Sequence, residues 1–156
     1  MKFRYCTECA SPLTQRDATE YVCGNGHEYW NEPHGSVCVA VLRDGQVLLA
    51  RRGVEPRKGK FVLPGGFVDF DETPYEAARR EMAEETGLLV EPGALVGRVQ
   101  RGPFAIADYR CTVVGGALRA GDDATDARWC DAATLAALPL VPELAETLAG
   151  WDALPR

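Results

Sequence analysis

The stretch Gly66–Leu88, GFVDFDETPYEAARREMAEETGL, constrains this chain more than any other. Thr73 is a favourable N-cap, Pro74 suits the first helical position, and Glu76 completes a capping box with Thr73. Gly87 supplies the left-handed residue on which helices commonly stop. These signals predict a helix over 74–86. Its apolar residues Ala77, Ala78, Met82 and Ala83 do not share one face. Neighbours and a bound ion, more than a greasy seam, are expected to hold it. Glu81, Glu84 and Glu85 are spaced i, i+3 and i+4, which gathers three carboxylates within an arc of about 100°.

In water that trio is unfavourable. Glu81 and Glu85 repel as a like-charge i,i+4 pair, and Glu84 and Glu85 sit at the negative end of the helix dipole. No lysine lies on the arc, and Arg80 reaches Glu84 only in the weaker order for a helix pair. A hard divalent cation with oxygen ligands relieves all of this. The alternative, a solvated acidic helix end, leaves unexplained why the glutamates cluster instead of alternating with lysine.

At 156 residues, 46% hydrophobic and 26% charged, the chain has the composition of one globular domain plus a small appendage. A net charge of −6 argues against nonspecific nucleic-acid binding. The start, MKFRYCTECA, lacks the apolar core of a signal peptide, and no run is long enough to span a membrane. A cytoplasmic location with reduced cysteines is expected.

The six cysteines form two groups. Cys38, Cys111 and Cys130 have apolar neighbours and read as small buried hydrophobes. Cys6, Cys9, Cys23 and His27 form two close pairs separated by a short loop, a pattern that suits a tetrahedral structural Zn²⁺. The alternative is ordinary buried cysteines and a surface histidine. Residues 1–33 are too few to bury much core, so a metal would supply their stability. A boundary is therefore expected there, with residues 1–33 a metal-bound segment, 29–33 its linker, and 34–156 the main domain.

In the main domain, Ser36–Leu42 is apolar on both faces and reads as a central strand. Asp44-Gly45 signals a hairpin into a returning strand at 46–51. A basic loop from Arg51 to Gly59 precedes a short strand at 61–63. Beyond Leu88, strands are expected at 94–100, 108–114 and 127–130, then short helices from Asp131 and Pro142. This pattern alone supports an α/β or α+β sandwich.

Gly66, Glu72 and Arg80-Glu81-Met82-Ala83-Glu84-Glu85-Thr86-Gly87-Leu88 match every fixed position of G-x5-E-x7-R-E-U-x-E-E-x-G-U, where U is a bulky aliphatic. This is the Nudix box. With Gly59–Gly66 before it and Arg128-Trp129 after it, the chain from about Gly35 onward resembles Nudix hydrolases. The resemblance implies an α/β/α sandwich with a mixed central sheet. It also implies Mg²⁺- or Mn²⁺-dependent hydrolysis of a nucleoside diphosphate linked to another moiety. Glu81, Glu84, Glu85 and a carbonyl near Gly65 would hold the metal, Arg80 would hold a glutamate, and Glu72 would assist. The general base would be Glu84 or a later acid, Asp123 or Asp126. Arg51 and Arg52 are candidate phosphate clamps, and Phe67, Tyr75 and Phe104 candidate base-stackers, with core packing as the default for the three rings.

The first 33 residues resemble the zinc ribbon that precedes many bacterial Nudix domains, although that ribbon usually ends in Cys-x2-Cys and here ends in Cys-x3-His. NADH pyrophosphatases of this family also carry a Ser-Gln-Pro-Trp-Pro-Phe-Pro-type stretch, which is absent here. ADP-ribose pyrophosphatases tend to carry a proline about fifteen residues past the box, where Pro103 stands. ADP-ribose or a related nucleotide sugar is therefore the expected substrate. NADH, NAD-capped RNA, nucleoside triphosphates and a non-enzymatic nucleotide sensor are the alternatives. A homodimer is common among such enzymes.

Overall fold

The computed structural model describes residues 4–16, 20–30, 35–69, 71–101, 104–121 and 123–150. The chain divides into two compact units, Met1–Pro33 and His34–Arg156. The first is a small antiparallel sheet of β1 (Leu13–Gln15), β2 (Glu20–Cys23) and β3 (Glu28–Trp30), in that order. Tyr29 and Trp30, expected in a linker, belong to β3, where Tyr29 pairs with Tyr21. The remaining linker residues, 31–33, lie outside the described residues.

The second unit is built on β4 (Gly35–Arg43), which pairs with β5 (Gln46–Arg52) through a two-residue turn. Asp44 and Gly45 both have positive φ, 51° and 73°, the combination a type I′ hairpin requires. The other strands are β6 (Phe61–Val62), β7 (Gly65–Phe67), β8 (Leu88–Arg101), β9 (Phe104–Gly116) and β10 (Ala124–Cys130). The sheet runs β10-β5-β4-β9-β8, with β6 on β5 and β7 on β4. Among the described residues, only the strands β4 and β9 pair in parallel, so the sheet is mixed. β8 and β9 are longer than expected and form one hairpin whose register shifts between Pro92 and Leu95. Pro92 cannot donate to a ladder, so it sits at an irregular place on the last strand of the order.

β4 shows why two layers of helix are needed. Val37, Val39 and Val41 point to one face and pack with Ala77, Ala78 and Met82 of α1 (Pro74–Thr86). Ala40 points to the other and packs with Leu135 of α2 (Ala132–Ala137) and Leu144 and Leu148 of α3 (Pro142–Gly150). The period-two alternation of a strand that is apolar on both faces from Val37 to Leu42 thus makes an α/β/α sandwich. α1 departs from expectation in its anchoring. Ala77, Ala78 and Met82 are fully buried and do form a seam, because small alanines let the helix lie close to the sheet. Burying Met82 alone contributes about 1.5–3 kcal/mol. Cys111 and Cys130 are buried as expected, whereas Cys38 is only partly so and lines a cavity.

Candidate active site

α1 begins and ends as its sequence requires. The Thr73 side chain accepts from the Glu76 amide and the Glu76 carboxylate accepts from the Thr73 amide. Gly87 adopts φ 68° and its N–H donates to the Ala83 carbonyl at 3.1 Å. Two further carbonyls at this end are capped from outside the helix. The Arg119 amide donates to Thr86 and the Gly121 amide to Glu85, which fixes the segment leading to Asp123 against the helix.

Of the three clustered helix glutamates, Glu81 and Glu85 turn inward and Glu84 stays on the rim with 47% of its side chain exposed. Glu81 and Glu85 line a cleft of about 340 Å³ with Gly65, Gly66, Phe67, Asp123 and Arg52. The Gly65 amide donates to Glu85 Oε2 at 2.9 Å. Burial pushes the Glu85 carboxyl up to about 8, and the carboxylates of Glu81 and Asp123 push the same way against the Gly65 amide and Arg52. Burial also raises the Glu81 carboxyl.

Arg80 organises the outer wall. Its Nε donates to Glu72 Oε2 at 3.1 Å, and its Nη2 bonds Glu72 Oε1 and the Phe67 carbonyl, the latter at 2.9 Å. Its Nη1 donates to Glu81 Oε1 at 2.8 Å and to Glu84 Oε2 at 3.3 Å. One guanidinium therefore ties three carboxylates to the loop before the helix. The Arg80 fork holds the Glu72 carboxyl below its ordinary value.

The other expected residues separate. Arg51 and Arg52 are adjacent in β5, so their side chains leave opposite faces. Arg52 enters the cleft with its Nε on the Pro56 carbonyl at 2.8 Å, while Arg51 braces the Gly59 carbonyl at 3.1 Å. Asp123 lines the cleft and its carbonyl accepts from the Gly53 amide at 2.6 Å. Asp126 instead pairs with Arg128. Phe67 and Tyr75 are not core residues. Both are exposed, Phe67 beside Phe104 with centroids 5.6 Å apart and Tyr75 on Tyr109 at 4.9 Å. Pro103 lies outside the described residues. Gly53 was missed by sequence reasoning, and its role depends on a backbone contact across the fold that no local signal carries.

In the first unit, the sulfur atoms of Cys6, Cys9 and Cys23 and a ring nitrogen of His27 all lie within 4.8 Å of one another. Cys6 Sγ is 3.3 Å from His27 Nδ1, and the Cys9 and Cys23 sulfurs are 3.7 Å apart.

A sandwich of this topology with a carboxylate-bearing helix over a glycine turn defines the Nudix class, and the comparisons agree. The NUDIX domain family matches residues 32–150, so the chain belongs to the Nudix family. It is 42% identical over 106 residues to an ADP-ribose pyrophosphatase of Methanocaldococcus jannaschii, a match covering 63% of each protein. It is also 37% identical over 127 residues to a putative 8-oxo-dGTP diphosphatase 2 of Mycobacterium tuberculosis, covering 73% of this chain and 89% of that one. Its fold resembles a crystal structure of a NUDIX hydrolase from Nitrosomonas europaea with TM-score 0.71 and 21% identity, over 94% of this chain and 88% of the other.

Proposed function

We infer that this Nudix-family enzyme is a divalent-cation-dependent pyrophosphohydrolase whose substrate is ADP-ribose or a related nucleotide sugar. The observation that carries the reading is the inward pair Glu81 and Glu85 facing Asp123 across one cleft. Three carboxylates around one open cleft, with the Glu85 carboxyl buried and raised to about 8, are a hard-oxygen donor set that fits Mg²⁺ or Mn²⁺. Such an ion, when bound, neutralises phosphate oxygens and acidifies a water. The protein's own part is positional. The Gly65 amide fixes Glu85, Arg80 fixes Glu81, and Arg52 lines the same cleft, where it can hold a phosphate oxygen. Water attacks one phosphorus, the anhydride P–O bond breaks, and the water's proton passes to a carboxylate. Asp123, in the cleft, is better placed for that proton than Asp126, which is committed to Arg128; Glu84 on the rim is the second acceptor.

ADP-ribose is favoured because it is named for the 42%-identical relative. A panel with Mg²⁺ or Mn²⁺ across ADP-ribose, NADH, nucleoside triphosphates and capped RNA tests this. The highest kcat/KM is expected on ADP-ribose, with AMP and ribose 5-phosphate as products. Turnover of none, with tight metal-independent binding of one, would make the chain a nucleotide sensor.

The first unit is read as a structural zinc site. Thiolates about 2.3 Å from a tetrahedral zinc lie about 3.8 Å from each other, close to the 3.7 Å between Cys9 and Cys23. Four protein ligands leave no open position for chemistry. Metal analysis of the purified protein is expected to give one zinc per chain, lost in Cys6→Ser. A folded, metal-free first unit would overturn the assignment.

A further inference from the structure

We propose that Arg57 and Glu143 form a clasp that sizes a nucleobase pocket continuous with the catalytic cleft. A second cavity, of about 260 Å³, adjoins the first and shares Arg52 and Gly65 with it. Val62, Val99, Ile106 and Leu144, from four different elements, give it aliphatic walls, and Thr147 and the buried Asp108 add polar groups among them. Apolar walls with a few polar groups suit a base, flat and apolar on its faces and polar at its edge, and the carboxylate disfavours a phosphate.

Arg57 and Glu143 also line this cavity and join each other across 86 residues of chain. Arg57 Nη1 donates to Glu143 Oε2 at 2.7 Å and Nη2 to Oε1 at 2.5 Å, a two-pronged bond between the β5–β6 loop and α3. The two partners are held differently. α3 is anchored by buried Leu144 and Leu148, whereas the loop carries Arg57 at φ 70°, a conformation unfavourable for a residue with a side chain. Arg52 holds the same loop through the Pro56 carbonyl, one residue before Arg57. The chain of contacts therefore runs from the catalytic cleft through Arg52 and Pro56 to Arg57 and Glu143.

Side-chain exposures of 46% and 28% mean the pair adds little to fold stability. Its consequence is geometric: it sets the distance between the loop and α3, and hence the width of the space between them. A base with an enlarged edge should be excluded while the clasp is closed. This makes Arg57 and Glu143 specificity-determining residues for the hydrolysis proposed above.

The test has one arm free of that proposal. Cys38 lines the cavity and is partly buried, so its alkylation by iodoacetamide, followed by peptide mass spectrometry, reports access. Arg57→Ala and Glu143→Gln are each expected to speed Cys38 alkylation about tenfold with no change in Tm, and the charge-swapped Arg57→Glu/Glu143→Arg chain to restore the slow rate. The other arm rests on the proposed activity. The ratio of kcat/KM on 1,N6-etheno-ADP-ribose to that on ADP-ribose is expected to rise about tenfold in both single variants and to return in the swap. Unchanged Cys38 rates, or a swap that behaves like the singles, overturn the clasp. So does an unchanged substrate ratio in an active enzyme. If neither compound is hydrolysed by the parent chain, the proposed activity fails and the Cys38 rates alone decide.

Discussion

Glu85→Gln is expected to lower kcat by at least about a hundredfold while leaving the metal-free protein as stable as the parent to within about 1 kcal/mol. The two halves of this expectation have separate physical grounds. Glutamine has the same shape and keeps an oxygen for the Gly65 amide, so the backbone at the glycine turn retains its partner. Burial already disfavours the charged form of Glu85, so the native carboxylate gains little from its surroundings without a cation. With a cation, the charge is what matters. A hundredfold loss corresponds to about 2.7 kcal/mol of transition-state stabilisation, the size expected for a lost metal ligand or base. The readouts are steady-state kinetics and melting with and without Mn²⁺. Parent protein should gain about 2.7 kcal/mol at a Mn²⁺ concentration one hundred times its Kd, and Glu85→Gln should gain much less. Glu84→Gln is expected to lose rate by a similar factor. If both variants kept parental rates while Asp123→Asn was inactive, the helix carboxylates would be structural and the chemistry would belong to the far wall.

The parts of this site that were legible in sequence are those set by local rules. The capping box of Thr73 and Glu76 and the stop at Gly87 define α1, and the i, i+3, i+4 spacing defines its acidic ridge. Asp44-Gly45 announces its own hairpin because only a few residue types tolerate two successive positive φ values. What stayed hidden depends on which way neighbouring segments face. Arg51 and Arg52 are indistinguishable until the sheet assigns a face to each. Asp123 and Asp126 look alike in a polar turn until β10 pairs with β5 and one of them meets Arg128. The buried seam of α1 escaped because alanines give a weak periodic signal, yet a close helix–sheet contact needs small residues. The exposure of Phe67 and Tyr75 runs against the usual burial of aromatic rings, and only their place beside the cleft and on β9 accounts for it.

Gly65→Ala is expected to be strongly damaging for a single added methyl, lowering stability by about 3 kcal/mol or more and Tm by roughly 10 °C. Gly65 has φ 149°, and a Cβ built there would lie 2.0 Å from the Val37 carbonyl oxygen and 2.9 Å from Cys38 Cα. Both are backbone atoms, so no side-chain rotation relieves the overlap. Nor can the backbone retreat. Residues 35–41 of β4 are paired to β9 along their length, and Val37 and Val39 are fully buried. The strain therefore passes to β7, whose Gly65 pairs with Cys38, and to the amide that holds Glu85, so activity should fall with stability. Two neighbours separate these effects. At Gly66 the added Cβ meets the Glu81 carboxylate at 2.3 Å, the movable tip of a side chain, so Gly66→Ala should displace Glu81 and cost activity with only a small change in Tm. At Gly35 the nearest atoms are those of Val68 at 3.7 Å, ordinary contact, so Gly35→Ala should stay within about 0.5 kcal/mol of the parent. Thermal melts of the three variants beside their kcat values check the order. A Gly65→Ala protein that melts with the parent would mean that β7 does not press on β4 as closely as this, and the positioning of Glu85 by the glycine turn would lose its basis.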